Sequence, residues 1–281
     1  MFISVDSWIG ESRVVDDLLT QHLKTLPAFR ALIRATEARL FVGLDLPAPI
    51  LDLGCGDGHF ASVAVPGPVR AGIDPGWQPL TEARARGHYT TLAQAPGDRL
   101  PFPDACFATV VSNCVLEHIP QVEPVLAEVG RVLRPGGTFV CTVVSEHFPE
   151  YLFWPTLFRR LRLPGLARRY EDWFNRISVH HHCDDPATWT ARLQAAGLRV
   201  GRWHYYLSPA AARAFDLWHY LGAPTILYKR LTGRWIIASW RWSLAPTEWW
   251  LRRYYEEPAP AEGLDIFFLC YKKPGNVKRD T

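Results

Sequence analysis

The sequence predicts an α/β fold: a largely parallel sheet with helices on both faces and a ligand edge formed early in the chain. Three observations carry this. Residues 50–58 read Ile-Leu-Asp-Leu-Gly-Cys-Gly-Asp-Gly, a short apolar run that ends in an acidic residue and glycines at alternate positions, Gly54, Gly56 and Gly58. That pattern is a buried strand turning into a helix, where glycine permits positive φ and lets a ligand approach the main chain without meeting a Cβ atom. Val69 to Asp74 repeats the strand pattern and ends in a carboxylate, at the spacing of about 20 residues that brings a second strand tip to a ribose. Strand-like runs and helix-period segments then alternate along the chain.

Taken in order, residues 12–43 have the apolar spacing of helices, through Phe29, Leu32, Ile33, Leu40 and Phe41, with Pro27 near a helix start. Asp52, Asp57 and Asp74 surround the glycine turn, and their charge disfavours a phosphate and suits a cationic ligand. His59 to Val65 is the first crossover helix, ended by Pro66-Gly67-Pro68, and Pro79 to Arg86 the second. Phe107 to Asn113 is the fourth strand. Val122 to Leu133 is a helix, Arg134-Pro-Gly-Gly a turn, and Thr138 to Val144 the fifth strand. Asp185 to Ala196 is the last large helix of the sheet, with Pro186 in its first turn and Gly197 after its end. Val200 to Leu207 and Leu264 to Tyr271 complete the strands.

Five ordered motifs, Leu51-Asp-Leu-Gly-Cys-Gly-Asp-Gly58, Gly72-Ile-Asp-Pro75, Leu100-Pro-Phe-Pro-Asp104, Val115-Leu-Glu-His118 and Leu133-Arg-Pro-Gly-Gly137, resemble the class I S-adenosylmethionine-dependent methyltransferases, in particular the broad group related to quinone-biosynthesis methyltransferases. The resemblance runs through residues 48–145, more weakly to about 207 and again over 264–273. It implies a Rossmann-like seven-stranded sheet of order 3-2-1-4-5-7-6 with the last strand antiparallel, S-adenosyl-L-methionine as cofactor, and methyl transfer as the activity. The cofactor residues implied are Asp52, Gly54, Cys55, Gly56, Gly58, Asp74, Pro75, Gly97, Asp98 and Asn113. The stretch beside the adenine departs from the family pattern: where relatives often carry an Asp four positions before the Leu of Leu-Pro-Phe, this chain has Pro96, and Asp98 or the backbone at Gly97 and Asp98 takes the adenine amino group instead. Glu117 and His118 stand where some ubiquinone-pathway relatives carry Glu-x-x-Glu-His for magnesium. Here the first position is Cys114, a poor ligand for a hard cation, so no metal is expected.

The composition fits such an enzyme. A chain of 281 residues with 48% hydrophobic content can bury a sizeable core. The six cysteines are scattered without ligand or disulfide spacing, and no uncharged apolar run reaches the ~18 residues of a membrane span. A cytoplasmic protein with reduced thiols is expected. The net charge of +3 hides an asymmetry: residues 1–145 carry −4 and residues 146–281 carry +7, and ten of the twelve tryptophans lie between Trp154 and Trp250. The organisation expected is an N-terminal helical cover (1–47), a core (48–207 and 264–273) with a lid insertion at 145–185, a second aromatic and basic insertion at 208–263, and a tail from 274.

The lid insertion ends in His180-His181-His182-Cys183. Neighbouring histidines cannot all face one metal from an extended backbone, and the reading left open is a single base chosen from His118, His180 and His182. A sulfonium methyl is already activated, so the protein has mainly to hold the acceptor in line, exclude water and remove one proton. The expected acceptor is a small molecule or glycan, methylated at oxygen. Against a nicotinamide dehydrogenase stand Leu-Pro-Phe-Pro-Asp and Leu-Glu-His; against a nucleic-acid methyltransferase stands the lack of an Asn-Pro-Pro-Tyr type motif at strand four, and no nucleic acid is expected as partner. A binding module without catalysis, and the oligomeric state, stay open. Residues 215–255 alternate aromatic and basic side chains. They form either a packed cap or a surface resting on the inner face of a membrane, where a lipid-linked acceptor would lie.

Overall fold

Strand β1 (Ile50–Leu53) is the strand on which the others are laid, and all four of its residues are buried. The computed structural model describes residues 17–222, 224–233, 235–236 and 240–274. Helices α1 (Leu18–Leu23) and α2 (Ala28–Phe41) precede β1; the expected helical stretch is broken by Pro27, which caps α2. After β1 come α3 (His59–Ala64), β2 (Val69–Asp74), α4 (Trp77–Arg86), β3 (Tyr89–Gln94), β4 (Phe107–Asn113), α5 (Val122–Val132) and β5 (Leu133–Val144). Then follow α6 (Phe148–Tyr151), α7 (Phe153–Arg160), α8 (Pro164–Ser178), α9 (Pro186–Ala195), β6 (Leu198–Tyr206), α10 (Pro209–Gly222), α11 (Pro224–Thr232), α12 (Arg241–Tyr255) and β7 (Asp265–Lys272).

The seven strands form one sheet in the order β3-β2-β1-β4-β5-β7-β6, with β7 antiparallel to both neighbours and the other pairings parallel. This is the predicted order. Alternate residues of each strand enter separate apolar layers, as a period of two requires. Ile50, Val111, Val140 and Phe267 pack with α1, α2, α3 and α10 on one face, while Leu51, Val110, Phe139 and Phe268 pack with α5 and α9 on the other. Two boundaries differ from the sequence reading. β5 starts at Leu133 because that residue pairs with Phe107 before a register shift, so the Arg-Pro-Gly-Gly segment lies within the strand. β3 has only the mixed run Tyr-Thr-Thr-Leu-Ala-Gln at a half-exposed sheet edge, and periodicity does not announce it.

The second insertion folds back on the N-terminal helices, and the first packs against it. α10 packs on α2, α6 and α7, and α12 lies across α1 and α2. Their apolar residues divide into two populations. Phe215, Leu244, Leu251 and Tyr255 are buried with α2, whereas Trp240, Trp242 and Trp249 are 63%, 74% and 78% exposed. Cations cover several of the remaining rings, Lys229 over Trp235 at 4.7 Å and Arg253 over Trp250 at 4.9 Å. The second insertion is closed at its root: Leu264 N–H donates to the Leu207 carbonyl at 2.8 Å, and Glu257 accepts from both Ser208 N–H and its hydroxyl at 2.7 Å. Among the described residues no helix is long and apolar enough to cross a membrane.

Candidate functional site

The site starts from the turn after β1. Gly54 and Cys55 N–H groups both donate to the Ile73 carbonyl at 2.9 Å, which clips the turn to β2. Asp74, the last residue of β2, accepts from Gly56 N–H at 3.0 Å and Gly76 N–H at 2.7 Å. Gly56 has φ of 53°, and a Cβ there would meet no protein atom within 4 Å, so the turn presents bare main chain to open space.

That space is a cavity of about 970 Å³ lined by Asp52, Gly54, Cys55, Gly56, Asp74, Pro75, Gly97, Asp98 and Asn113 among others. Nine of the ten expected cofactor residues thus converge on one cleft. Gly58 does not line it. A Cβ on Gly58 would come within 2.8 Å of the Tyr89 ring, and a Cβ on Gly72 would do the same. These two glycines make room for a tyrosine whose hydroxyl donates to Asp52 Oδ2 at 2.6 Å. Asp52 is 4% exposed. Burial pushes its carboxyl up to about 6, the charge of Asp74 adding to that and the Tyr89 bond opposing it.

Beyond the glycine turn the floor is a buried polar network. Asn113 Nδ2 donates to Glu37 Oε2 at 2.8 Å and its Oδ1 accepts from the Thr142 hydroxyl at 2.9 Å. Cys114 Sγ donates to Glu37 Oε1 at 2.9 Å, and Arg34 pairs with Glu37 at 2.6 Å. Arg30 and Arg34, one turn apart on α2, line the same cavity. The sequence reading missed Arg30, Arg34 and Glu37 because charges on an amphipathic helix read as its solvated face; the only signal is their place among Ile33, Ala35 and Ala38.

The three candidate bases separate. His118 lies in a one-turn 3₁₀ segment, Leu116–His118, between β4 and α5, and lines both the main cavity and an adjoining one of about 280 Å³. Its Nδ1–H donates to the Val179 carbonyl at 3.2 Å, which leaves a lone pair on Nε2, 3.8 Å from Glu117 Oε1. Burial lowers its pKa from the usual value, so the ring is neutral near pH 7. His180 lines only the smaller cavity. His182 lines neither: its Nε2–H donates to the Ile119 carbonyl at 3.0 Å and its Nδ1 lies 3.4 Å from Asp184.

Strand tips, glycine turn and acidic rim together define an α/β enzyme whose cleft takes a ligand with a ribose and a positive charge. Residues 51–141 match the family described as a methyltransferase domain. A trans-aconitate 2-methyltransferase of Rhizobium meliloti is 30% identical over 181 residues, 62% of this chain and 68% of that protein. A ubiquinone/menaquinone biosynthesis C-methyltransferase of Rubrivivax gelatinosus is 28% identical over 59% of this chain and 70% of its own. The chain spans a smaller part, 39%, of a malonyl-[acyl-carrier protein] O-methyltransferase of Xylella fastidiosa, at 35% identity over 39% of this chain. In fold, an S-adenosylmethionine-dependent methyltransferase of Thermotoga maritima superposes with a TM-score of 0.53 at 16% identity, over 88% of this chain and 91% of that one. The chain belongs to the class I S-adenosylmethionine-dependent methyltransferases, and S-adenosyl-L-methionine is its methyl donor. The bare main chain at Gly56 and the carboxylates of Asp52 and Asp74 fit a nucleoside bearing a cationic amino-acid tail.

Proposed function

We propose that the chain transfers the methyl group to a hydroxyl of a small molecule or glycan, with His118 as general base. In this reading Asp74 and Pro75 flank the ribose, Gly97 and Asp98 the adenine, and Asp52, Gly54, Cys55, Gly56 and Asn113 the methionyl end. The cofactor, when bound, supplies a methyl on a sulfonium centre that needs no further activation. What the protein must add is a proton acceptor beside the acceptor oxygen and a site closed to water. The observation that carries the reading is the position of His118, neutral, oriented by Val179, and common to the walls of both cavities. Replacing His118 by Gln should lower kcat by about 10²- to 10⁴-fold, the range for a positioned base, with cofactor affinity held within twofold. Full turnover in that variant removes His118 from the role.

A second reading, a lipid-linked acceptor at a membrane surface, is favoured by one observation. Trp242 and Trp249 are two turns apart on α12 and share an exposed face, Trp240 stacks on Trp242 at 5.7 Å, and Arg230 and Arg253 are exposed on α11 and α12. Under this reading the protein sediments with anionic vesicles at low salt, is released at high salt, and loses most of that binding when Trp242 and Trp249 are changed to Ser. Protein that stays in the supernatant at low salt dismisses it.

A further inference from the structure

We propose that the smaller cavity beside His118 is the acceptor site and that it is shaped for a single uncharged ring carrying several hydroxyls. The proposal rests on the reading of His118 as base. The cavity adjoins the cofactor cleft, sharing Arg30, Arg34, Cys114 and His118 with it. Its wall is aromatic, made by Phe29, Phe148, Phe174, Phe215 and Trp235. At about 280 Å³ it lies just below the range of about 300–1,000 Å³ for drug-sized ligands, which limits the occupant to roughly one ring.

Four other lining residues carry the chemical argument. Among the described residues ten buried side-chain polar atoms have no hydrogen-bond partner, and four of these belong to this one wall: Glu117 Oε2, His180 Nδ1, His219 Nδ1 and Asp265 Oδ2. Glu117 and Asp265 are each 1% exposed. A buried polar group without a partner opposes folding, and several in one apolar pocket point to a ligand that supplies the missing bonds. No group of three or more His, Cys, Asp or Glu among the described residues is placed to hold a metal ion, so a cation of that kind does not explain the cluster.

A cationic acceptor would pass Arg30 and Arg34 at the opening shared with the cofactor cleft, and an anionic one would give up its hydration to a wall made largely of aromatic rings. The polar wall is itself close to neutral: burial pushes Glu117 up to about 8 and Asp265 well above the usual carboxylate range, while it holds His180 down near 4 and lowers His219. Protonated carboxyls and neutral imidazoles present donors and acceptors side by side. A hydroxyl is both, so a polyhydroxylated ring satisfies this set, and its C–H faces lie against the phenylalanines. The hydroxyl nearest His118 gives its proton to Nε2 as its oxygen takes the methyl group, leaving a methyl ether and, from the donor, a neutral thioether.

The test is binding of a ring panel to the full chain, with S-adenosylhomocysteine present, read by saturation-transfer NMR and by quenching of tryptophan emission. The panel is L-rhamnose, D-glucose, myo-inositol and catechol, with cyclohexylamine and benzoate as the charged counterparts. At least one hydroxylated ring should bind, and Asp265→Asn and the less buried His219→Ala should each weaken it tenfold or more while S-adenosylhomocysteine affinity by calorimetry stays within twofold. Binding of no hydroxylated ring, binding of cyclohexylamine or benzoate alone, or polyol binding indifferent to both variants overturns the proposal. The base assignment fails separately, through full turnover in His118→Gln.

Discussion

Asp74 shows what a single side chain can be asked to do. Each of its oxygens accepts one backbone N–H, from Gly56 and Gly76, yet an ionised carboxylate offers about four acceptor directions. Those left over face the cavity, where a ribose hydroxyl would be held by a charged acceptor. Asp74→Asn should weaken cofactor binding by about 1.5–3 kcal/mol, or roughly 10- to 150-fold, in calorimetry; unchanged affinity in a folded variant would show that Asp74 serves the loop alone. The convergence of such residues on one cleft was legible in the sequence because spacing from the glycine turn names them. Gly58 stands outside that cleft; alternate glycines look alike in a string, and only packing reveals that this one makes room for Tyr89. Glu37 was invisible for a similar reason: nothing local says that a helical glutamate will be wholly buried and bound by Arg34, Asn113, Cys114 and Tyr206.

At the scale of elements, the strands with apolar runs and flanking turns were readable within a few residues, and the sheet order followed from the family resemblance. The edge strand β3 and the early start of β5 were not, because each depends on a neighbour, β2 for the one and Phe107 for the other. The second insertion divides in the same way. Its composition announced an aromatic cap, but whether a given ring faces α2 or solvent is decided by helix phase. Leu251 of α12 is fully buried against the N-terminal helices, so Leu251→Ala should destabilise the fold by about 2–5 kcal/mol in denaturant unfolding. Trp249→Ser, on the exposed side of the same helix, should stay within about 0.5 kcal/mol. Equal effects would mean that α12 does not pack as described. Removing residues 208–263 outright would bare the α2 face that Phe215, Leu244 and Leu251 cover, so that deletion cannot separate catalysis from folding.

For the molecule as a whole, pH is a global probe of the buried acids. Glu117 is raised by burial to about 8 from an ordinary value of 4.5. Over that window the folded state holds a proton the unfolded chain releases, so stability is fully present below about pH 4.5, falls as pH rises and levels off above about 8. The buried histidines act in the opposite sense: His59, His180 and His204 are held near 4, and they subtract stability as pH drops below 6.5. An ordinary imidazole is still half protonated at pH 6.5, so the acids outweigh the histidines only above about pH 7.5. As pH approaches 8, stability should therefore decline with a Glu117 contribution of at most about 1.4 kcal/mol per pH unit, and Glu117→Gln should flatten that slope in urea titrations above about pH 7.5. A slope unaltered by the substitution would mean that Glu117 is ionised in the folded protein.

The root of the second insertion has an evolutionary corollary. Residues 208–263 leave the sheet at β6 and return at β7 through a mouth closed by the Leu264–Leu207 hydrogen bond and braced by Glu257 on Ser208. A tether of that kind is an enlarged hairpin loop, and for a flexible loop each doubling of length adds only about 0.6 kcal/mol of closure entropy. A donor-binding sheet so arranged can trade one cap for another of different size at the same two-residue doorway. If the smaller cavity takes the acceptor as proposed, exchange of the 208–263 segment, which supplies its Phe215, His219 and Trp235, would change acceptor choice while the glycine turn and its acidic rim keep their geometry.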